Sequence, residues 1–212
     1  MLTYSGISIC PDELALPTPQ DLAVQMGRIT RYGGAIWCPL LFHSLLVARM
    51  VADKVDPELD LLRERTITWA LFHDAHEIIA GEIPHPWKSK DRAEQERAID
   101  YVFYNQLGFG PAQVDLTALK QCDRAAIYVE TQTLGPLSGS ESYRNKWDRG
   151  FEPGDLEQPF YYANRLRLGN YAEARLCIRA DSGPIQRAQR LFQLAYDRRF
   201  DRVVTNLLEM TE

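Results

Sequence analysis

Long apolar runs are missing from this chain. None of its 212 residues falls in a stretch approaching the ~18 uninterrupted apolar positions of a membrane-spanning helix. Residues 1–10 also lack a basic region followed by an apolar run, so no membrane partner is expected and a cytoplasmic location is the default expectation. Cysteine is scarce. Cys10, Cys38, Cys122 and Cys177 show no CxxC pairing, which argues against a thiolate zinc site and against a disulfide framework and leaves reduced, buried thiols as the plainer reading. Basic charge is short as well, 24 Lys and Arg against 29 Asp and Glu for a formal charge of -5, and this excludes a broad surface for a nucleic acid polymer. A small phosphorylated ligand stays compatible with it, because a local pocket of Lys, Arg and metal binds such a ligand against the global sign. Internal repeats, low-complexity tracts and sustained period-two alternation are absent too, so neither a repeat array nor a sheet is expected.

What remains is a globular composition, 45% hydrophobic and 25% charged. The length allows one domain or two small ones, and we read a single domain over 1–212. Pro11, Pro17 and Pro19 make residues 1–20 an extended arm. Apolar residues then recur at helical spacing over 20–28 and 40–54, with Gly33, Gly34 and Pro39 forcing a loop between. Asp56-Pro57 opens a third helical region in which Ile67, Ala70, Leu71, Asp74, Ala75 and Ile78 share a face, closed by Gly81 and Pro84. A helix is predicted over 92–107, with Asp91 and Glu94 in capping-box spacing and Gly108, Gly110 and Pro111 at its end. Another follows over 112–134. Residues 135–160 carry glycines, prolines, Trp147 and many charges, the make-up of a long surface loop of the kind that acts as a lid. Helices over 161–179 and 185–208 finish the chain. The expected fold class is all-α, a bundle of about seven to nine helices.

The chemistry concentrates in few residues. All four histidines, His43, His73, His76 and His85, lie in the first 85 positions. His73 and Asp74 are adjacent inside an apolar helical stretch, where an unpaired carboxylate costs several kcal/mol and a bound cation would offset it. Successive helical residues point about 100° apart, so both reach one ion only at the edge of the face, and other helices must complete the shell. His43, after Phe42, and Asp123, after Cys122, are the candidates. A packing role is the commoner fate of any single histidine; the set of four residues is what argues for a metal. Two imidazoles and two carboxylates form a mixed site suited to Zn, Mn, Co or Fe.

The pattern His43, His73-Asp74, Asp123 resembles the H…HD…D signature of the HD-domain metal-dependent phosphohydrolases. Its surroundings sharpen the likeness: FHDAHEIIAGEIPHPWK at 72–88 is similar to the HDAxExxxGDIPxPxK segment of the branch holding bacterial 5′-deoxynucleotidases and phage dATP triphosphohydrolases. TYSGISICP near the start, and RITRYGG before PLLFHSLLVA, resemble a phage-associated group in which RFGG precedes YSVAxHSxLVA. The likeness runs from Thr3 to about Leu134. Glu82 stands where the family has aspartate in GDIP, and Leu41-Phe42 stand where it has Val-Ala or Val-Ser.

The resemblance implies an HD-domain helical bundle and the hydrolysis of a nucleotide phosphate ester or anhydride. A dATP-preferring triphosphohydrolase releasing deoxynucleoside and triphosphate is the first expectation, a 5′-deoxynucleotidase the second, and a catalytically silent nucleotide-binding regulator the third. It implies metal ligation by His43, His73, Asp74 and Asp123, with Mg added to the list of ions and a second metal near Glu77 as an option. Glu77, three residues after Asp74, orients or deprotonates the attacking water; Glu82 assists it; Arg31 neutralises phosphate charge. Lys88 meets the phosphates, and His85 and Pro86 on a rigid turn, with Trp37 as a stacking face, touch the substrate. His76 has no ligand counterpart and is expected to be a partly exposed helix residue. A homo-oligomer is expected, through a stripe of Phe192, Ala195, Arg199, Arg202, Leu207 and Leu208 too apolar to leave bare. If the chain is phage-encoded, its compartment is the host cytoplasm.

Overall fold

Thr18 opens the first helix: its hydroxyl accepts from the Asp21 amide while its own amide donates to the Asp21 carboxylate, with Pro19 at the first helical position. This capping box starts α1 (Pro19–Arg28) at the end of the expected arm. The computed structural model describes residues 16–32, 38–81, 89–134, 157–166 and 183–211. The expected arm at 1–15 and most of the expected lid lie outside the described residues.

Nine α-helical segments and no strand occur among the described residues, which gives the all-α bundle its expected size. The central element is α2 (Leu40–Lys54), in which every residue from Leu40 to Ala52 is buried. A helix that is apolar on all sides belongs inside. It packs on α1, on α3 (Asp60–Phe72), on α6 (Leu116–Leu134), on α7 (Glu157–Arg165) and on the last helix, α9 (Phe200–Thr211). An isolated antiparallel bridge between Thr30 and Pro39, with the Arg31 amide donating to the Cys38 carbonyl, ties the end of α1 to the start of α2.

The third helical region does not run on to Gly81 as its periodicity suggests. α3 stops at Phe72, residues 73–76 form turns, and α4 (Glu77–Ala80) is a single turn. Across the break His73 and His76 keep right-handed helical dihedrals, and the Ala75, Glu77 and Ile78 amides donate three residues back instead of four. Phe72 holds the broken end in place. It is fully buried against the rings of Phe103, Phe192 and Tyr196, with centroids at 5.7, 5.1 and 5.9 Å.

α5 (Lys90–Leu107) begins two residues earlier than the spacing predicts, because Ser89 supplies the cap through the Arg92 amide. It ends at Gly108, whose φ of 77° is the left-handed conformation that glycine allows. A Cβ there would also meet the Arg198 guanidinium carbon at 2.6 Å. The helix predicted over 112–134 is a 3-10 turn (Pro111–Gln113) followed by α6.

The helix predicted over 185–208 is two helices. α8 (Gly183–Tyr196) ends in a turn at Arg198, φ 57°, before α9 begins at Phe200. The turn folds α9 back onto α3 and α2 and sets Phe200 edge-on to Phe109 at 5.4 Å. Phe192, Ala195 and Leu207 are thereby buried in the chain's own core, with Leu208 packed against it. The stripe that suggested self-association is used internally, so association requires another surface. No helix among the described residues is long and apolar enough to cross a membrane.

Candidate metal centre

Three separate segments bring donor atoms to one point. His43 comes from the first turn of the buried α2, His73 and Asp74 from the break after α3, and Asp123 from the middle of α6. His43, His73 and Asp123 each place a ligand atom within 4.8 Å of the others. His43 Nε2 lies 3.2 Å from His73 Nε2, 3.1 Å from Asp123 Oδ1 and 3.5 Å from Asp74 Oδ2. His73 Nε2 is 3.4 Å from the same Asp74 oxygen. The edge of a tetrahedron around an ion with ligands at 2.0–2.1 Å is ~3.3 Å. His43, His73 and Asp123 therefore form one candidate ion site, and Asp74, within reach of both imidazoles, also groups with His76 and Glu77.

The ring nitrogens are assigned by their partners. His73 Nδ1 is 2.7 Å from the Ala70 carbonyl, which only accepts, so Nδ1 donates and Nε2 carries a lone pair. His43 Nδ1 is 2.7 Å from Glu130 Oε1 and donates likewise. Two lone pairs and two carboxylate oxygens thus face one another, a repulsive set unless a cation stands among them. In the protein without metal a proton does so. Burial and the Arg31 cation oppose charging His43, but Glu130 and Asp123 outweigh them and push its pKa up to about 9.

The carboxylates respond in the opposite sense. Burial would raise Asp74, but His73, Arg31 and His43 hold it far below the usual carboxylate range. Asp123 is lowered despite burial by its hydrogen bond to His43 and by that ring's charge. Glu130, fully buried, is lowered despite burial chiefly by His43 and then by Arg31 and Tyr32.

Arg31 lies inside the group: it donates to Asp74 Oδ2 at 2.8 Å and sits 3.6 Å from Glu130. An ion in the cluster would share Asp74 with this guanidinium. Three carboxylates, Asp74, Asp123 and Glu130, against one guanidinium leave two negative charges. A divalent ion balances them; the single His43 proton does not. The group is closed on the His43 side, fully buried, and open at Asp123, whose side chain is 33% exposed. The donor set therefore fits a divalent metal reachable from solvent on one side.

Sequence reasoning missed Glu130, which orients His43 and supplies the third negative charge, as such partners do at metal sites. Its signal was available: Glu130 falls on the stripe of α6 that buries Cys122, Ala126 and Val129. Tyr32 also belongs, donating to Glu130 at 2.8 Å from a backbone at φ 63°. His76, expected to be partly exposed, is only 6% exposed, because its Nδ1 donates to Asp100 on α5 at 2.9 Å. Glu77 is buried at the start of α4, near Asp74. Glu82, His85, Pro86, Lys88 and Trp37 lie outside the described residues. Compared with known proteins, the chain matches no family model, no curated protein and no solved structure.

Proposed function

We propose that this protein is a metal-dependent nucleotide phosphohydrolase of the HD type. The observation that carries the reading is the convergence of His43, His73 and Asp123, from three segments, within 4.8 Å of one another, with Asp74 at 3.5 and 3.4 Å from the two imidazoles. Those four residues would hold a divalent ion, which supplies Lewis acidity toward a water and a phosphoryl oxygen. Within the mixed nitrogen and oxygen set, Mn, Co, Fe and Zn suit the site better than Mg.

The protein's own groups account for the rest. Glu130 keeps the His43 ring turned so that Nε2 faces the cluster. Glu77 takes the proton of the attacking water, and Arg31 stabilises the charge that develops on phosphorus. The water oxygen ends on the α-phosphorus, the bond to the 5′ oxygen breaks, and that oxygen takes up the proton held on Glu77, so that dATP yields deoxyadenosine and triphosphate. Lys88 meets the phosphates, Glu82 assists the water, and Trp37, His85 and Pro86 wall the base. Stacking of about 1–3 kcal/mol per base favours purines.

The test is incubation of the purified chain with each dNTP and dNMP under Mn, Co, Mg and Zn, with chromatographic separation of products. Triphosphate released from dATP supports the proposal. Phosphate released from monophosphates alone replaces it with a 5′-deoxynucleotidase, and tight nucleotide binding without turnover replaces it with a regulator.

A further inference from the structure

The Glu130 carboxylate has three side chains around it that can donate to it. Its Oε1 accepts from His43 Nδ1 at 2.7 Å, and its Oε2 accepts from the Tyr32 hydroxyl at 2.8 Å. The third is Arg31, whose Nε stands 3.6 Å from the same Oε2, beyond hydrogen-bond reach. That Nε is buried with no hydrogen-bond partner among the described residues, and the guanidinium is turned instead to Asp74, to which Nη1 donates at 2.8 Å. Arg31 thus lies between two carboxylates, bonded to one and about 0.7 Å short of an ordinary N–H···O contact with the other.

The backbone is strained to bring the hydroxyl there. Tyr32 is at φ 63°, a left-handed conformation that disfavours an aromatic residue and persists only where the surroundings fix it. In extended backbone consecutive side chains leave on opposite sides. The left-handed turn instead sends Arg31 and Tyr32 into one cluster, with the guanidinium 5.7 Å from the ring centre. Burial and the Glu130 charge hold the Tyr32 phenol well above its ordinary range, so the proton stays on it and the hydroxyl donates. Glu130 is fully buried, and a buried charged oxygen that loses its donor draws in another. Arg31 Nε is placed to be that replacement, and closing the gap draws the guanidinium away from Asp74 Oδ2.

We propose that Tyr32 is a positioning residue: by satisfying Glu130, its hydroxyl keeps Arg31 off that carboxylate and on Asp74, at the metal cluster. The inference rests on the phosphohydrolase reading for what Arg31 does, and on the geometry alone for where Arg31 stands.

Tyr32→Phe is the test, since it removes one hydroxyl and keeps the ring. Crystal structures of the full chain and of the variant, both stripped of metal with chelator, give a readout that needs no activity. The variant is expected to place Arg31 Nε within hydrogen-bond reach of Glu130 Oε2 and to lengthen or lose its contact with Asp74. The second readout is turnover of dATP with Mn(II). Tyr32→Phe should lower kcat by about tenfold to a hundredfold, the scale of one displaced charged contact, and leave KM within about threefold. In a Glu130→Gln background the same change should cost less than about threefold, because a neutral amide does not draw the guanidinium, whereas a ring that merely packs would cost the same in both backgrounds. Arg31 still on Asp74 in the variant, with a water in place of the hydroxyl, overturns the proposal whatever the activity. Equal losses of kcat in the two backgrounds overturn it as well. A parent inactive toward every dNTP and dNMP removes the phosphohydrolase reading alone, and the two crystal structures then decide the position of Arg31.

Discussion

Removing metal and raising the pH from 6.5 to 9 probes the charge balance of the cluster. His43 keeps its proton in the metal-free fold up to about 9, whereas in the unfolded chain it loses it near 6.5. The folded state holds the extra proton throughout that window. Its contribution to stability is therefore fully present below about 6.5 and is lost as pH climbs, by about 1.4 kcal/mol per unit and about 3 kcal/mol in all. When Nε2 is committed to an ion, the His43 ring carries no second proton in either state above about 6.5, and its contribution levels off. The stabilisation by metal should thus widen between pH 6.5 and 9. At about 2–4 °C per kcal/mol for a chain of this size, the widening is about 6–12 °C in Tm. Thermal melts with chelator and with Mn(II) measure it directly. His76 is raised too, its hydrogen bond to Asp100 prevailing over burial, and adds a slope of the same sign. Glu130→Gln isolates His43, since it removes the carboxylate that raises the ring and should flatten the metal-free curve by that share. A metal-free Tm that stays level across the window, or a slope unchanged in Glu130→Gln, refutes the charge balance described above.

The remaining predictions concern the site's separate parts. Asp74→Ala should lose bound transition metal and activity while its helical circular dichroism survives, and a folded variant holding the parental metal content would dismiss Asp74 as a ligand. Glu77→Ala should lower kcat by about 10² to 10⁴, the usual scale for a lost acid or base; turnover within twofold of the parent would leave Glu77 without a role in proton transfer. Among the four dNTPs, kcat/KM should favour dATP over dCTP by roughly tenfold to a hundredfold if stacking at Trp37 decides, and equal values would remove that wall from the account. Light scattering should give a mass above the 24.3 kDa of one chain, and a monomer at micromolar concentration would end the expectation of self-association.

The elements most legible in sequence were those with period and cap in agreement. The predicted span 40–54 is the span of α2, since its apolar run ends cleanly between Pro39 and the charged Asp53-Lys54. Two errors had one cause. At 73–76 and at 197–199 the apolar period continues across a break, because the residues on both sides serve the same core, and periodicity reports burial rather than backbone continuity. His43, His73, Asp74 and Asp123 were legible as candidates because polar residues inside apolar stretches stand out. Glu130 was passed over although it has the same signature, and His76 was misread because the carboxylate that buries it, Asp100, sits on a helix 24 positions away.

The break after Phe72 is where fold and site depend on each other. Through residues 73–76 the four-residue bonds of α3 give way to three-residue bonds from the Ala75, Glu77 and Ile78 amides. A helix end of this kind needs an anchor, because its last carbonyls lose their intrahelical partners. Here the anchor is Phe72, fully buried among three rings one residue before the first ligand. The His73 Nδ1 bond to the Ala70 carbonyl then satisfies an acceptor in the helix's last turn and orients the ring in one contact. The bond that caps the broken helix is thus the same bond that turns the Nε2 lone pair toward His43. Loss of packing at Phe72 should accordingly weaken metal affinity before it unfolds the bundle, because the donors are positioned by the end of α3 and not by the metal alone.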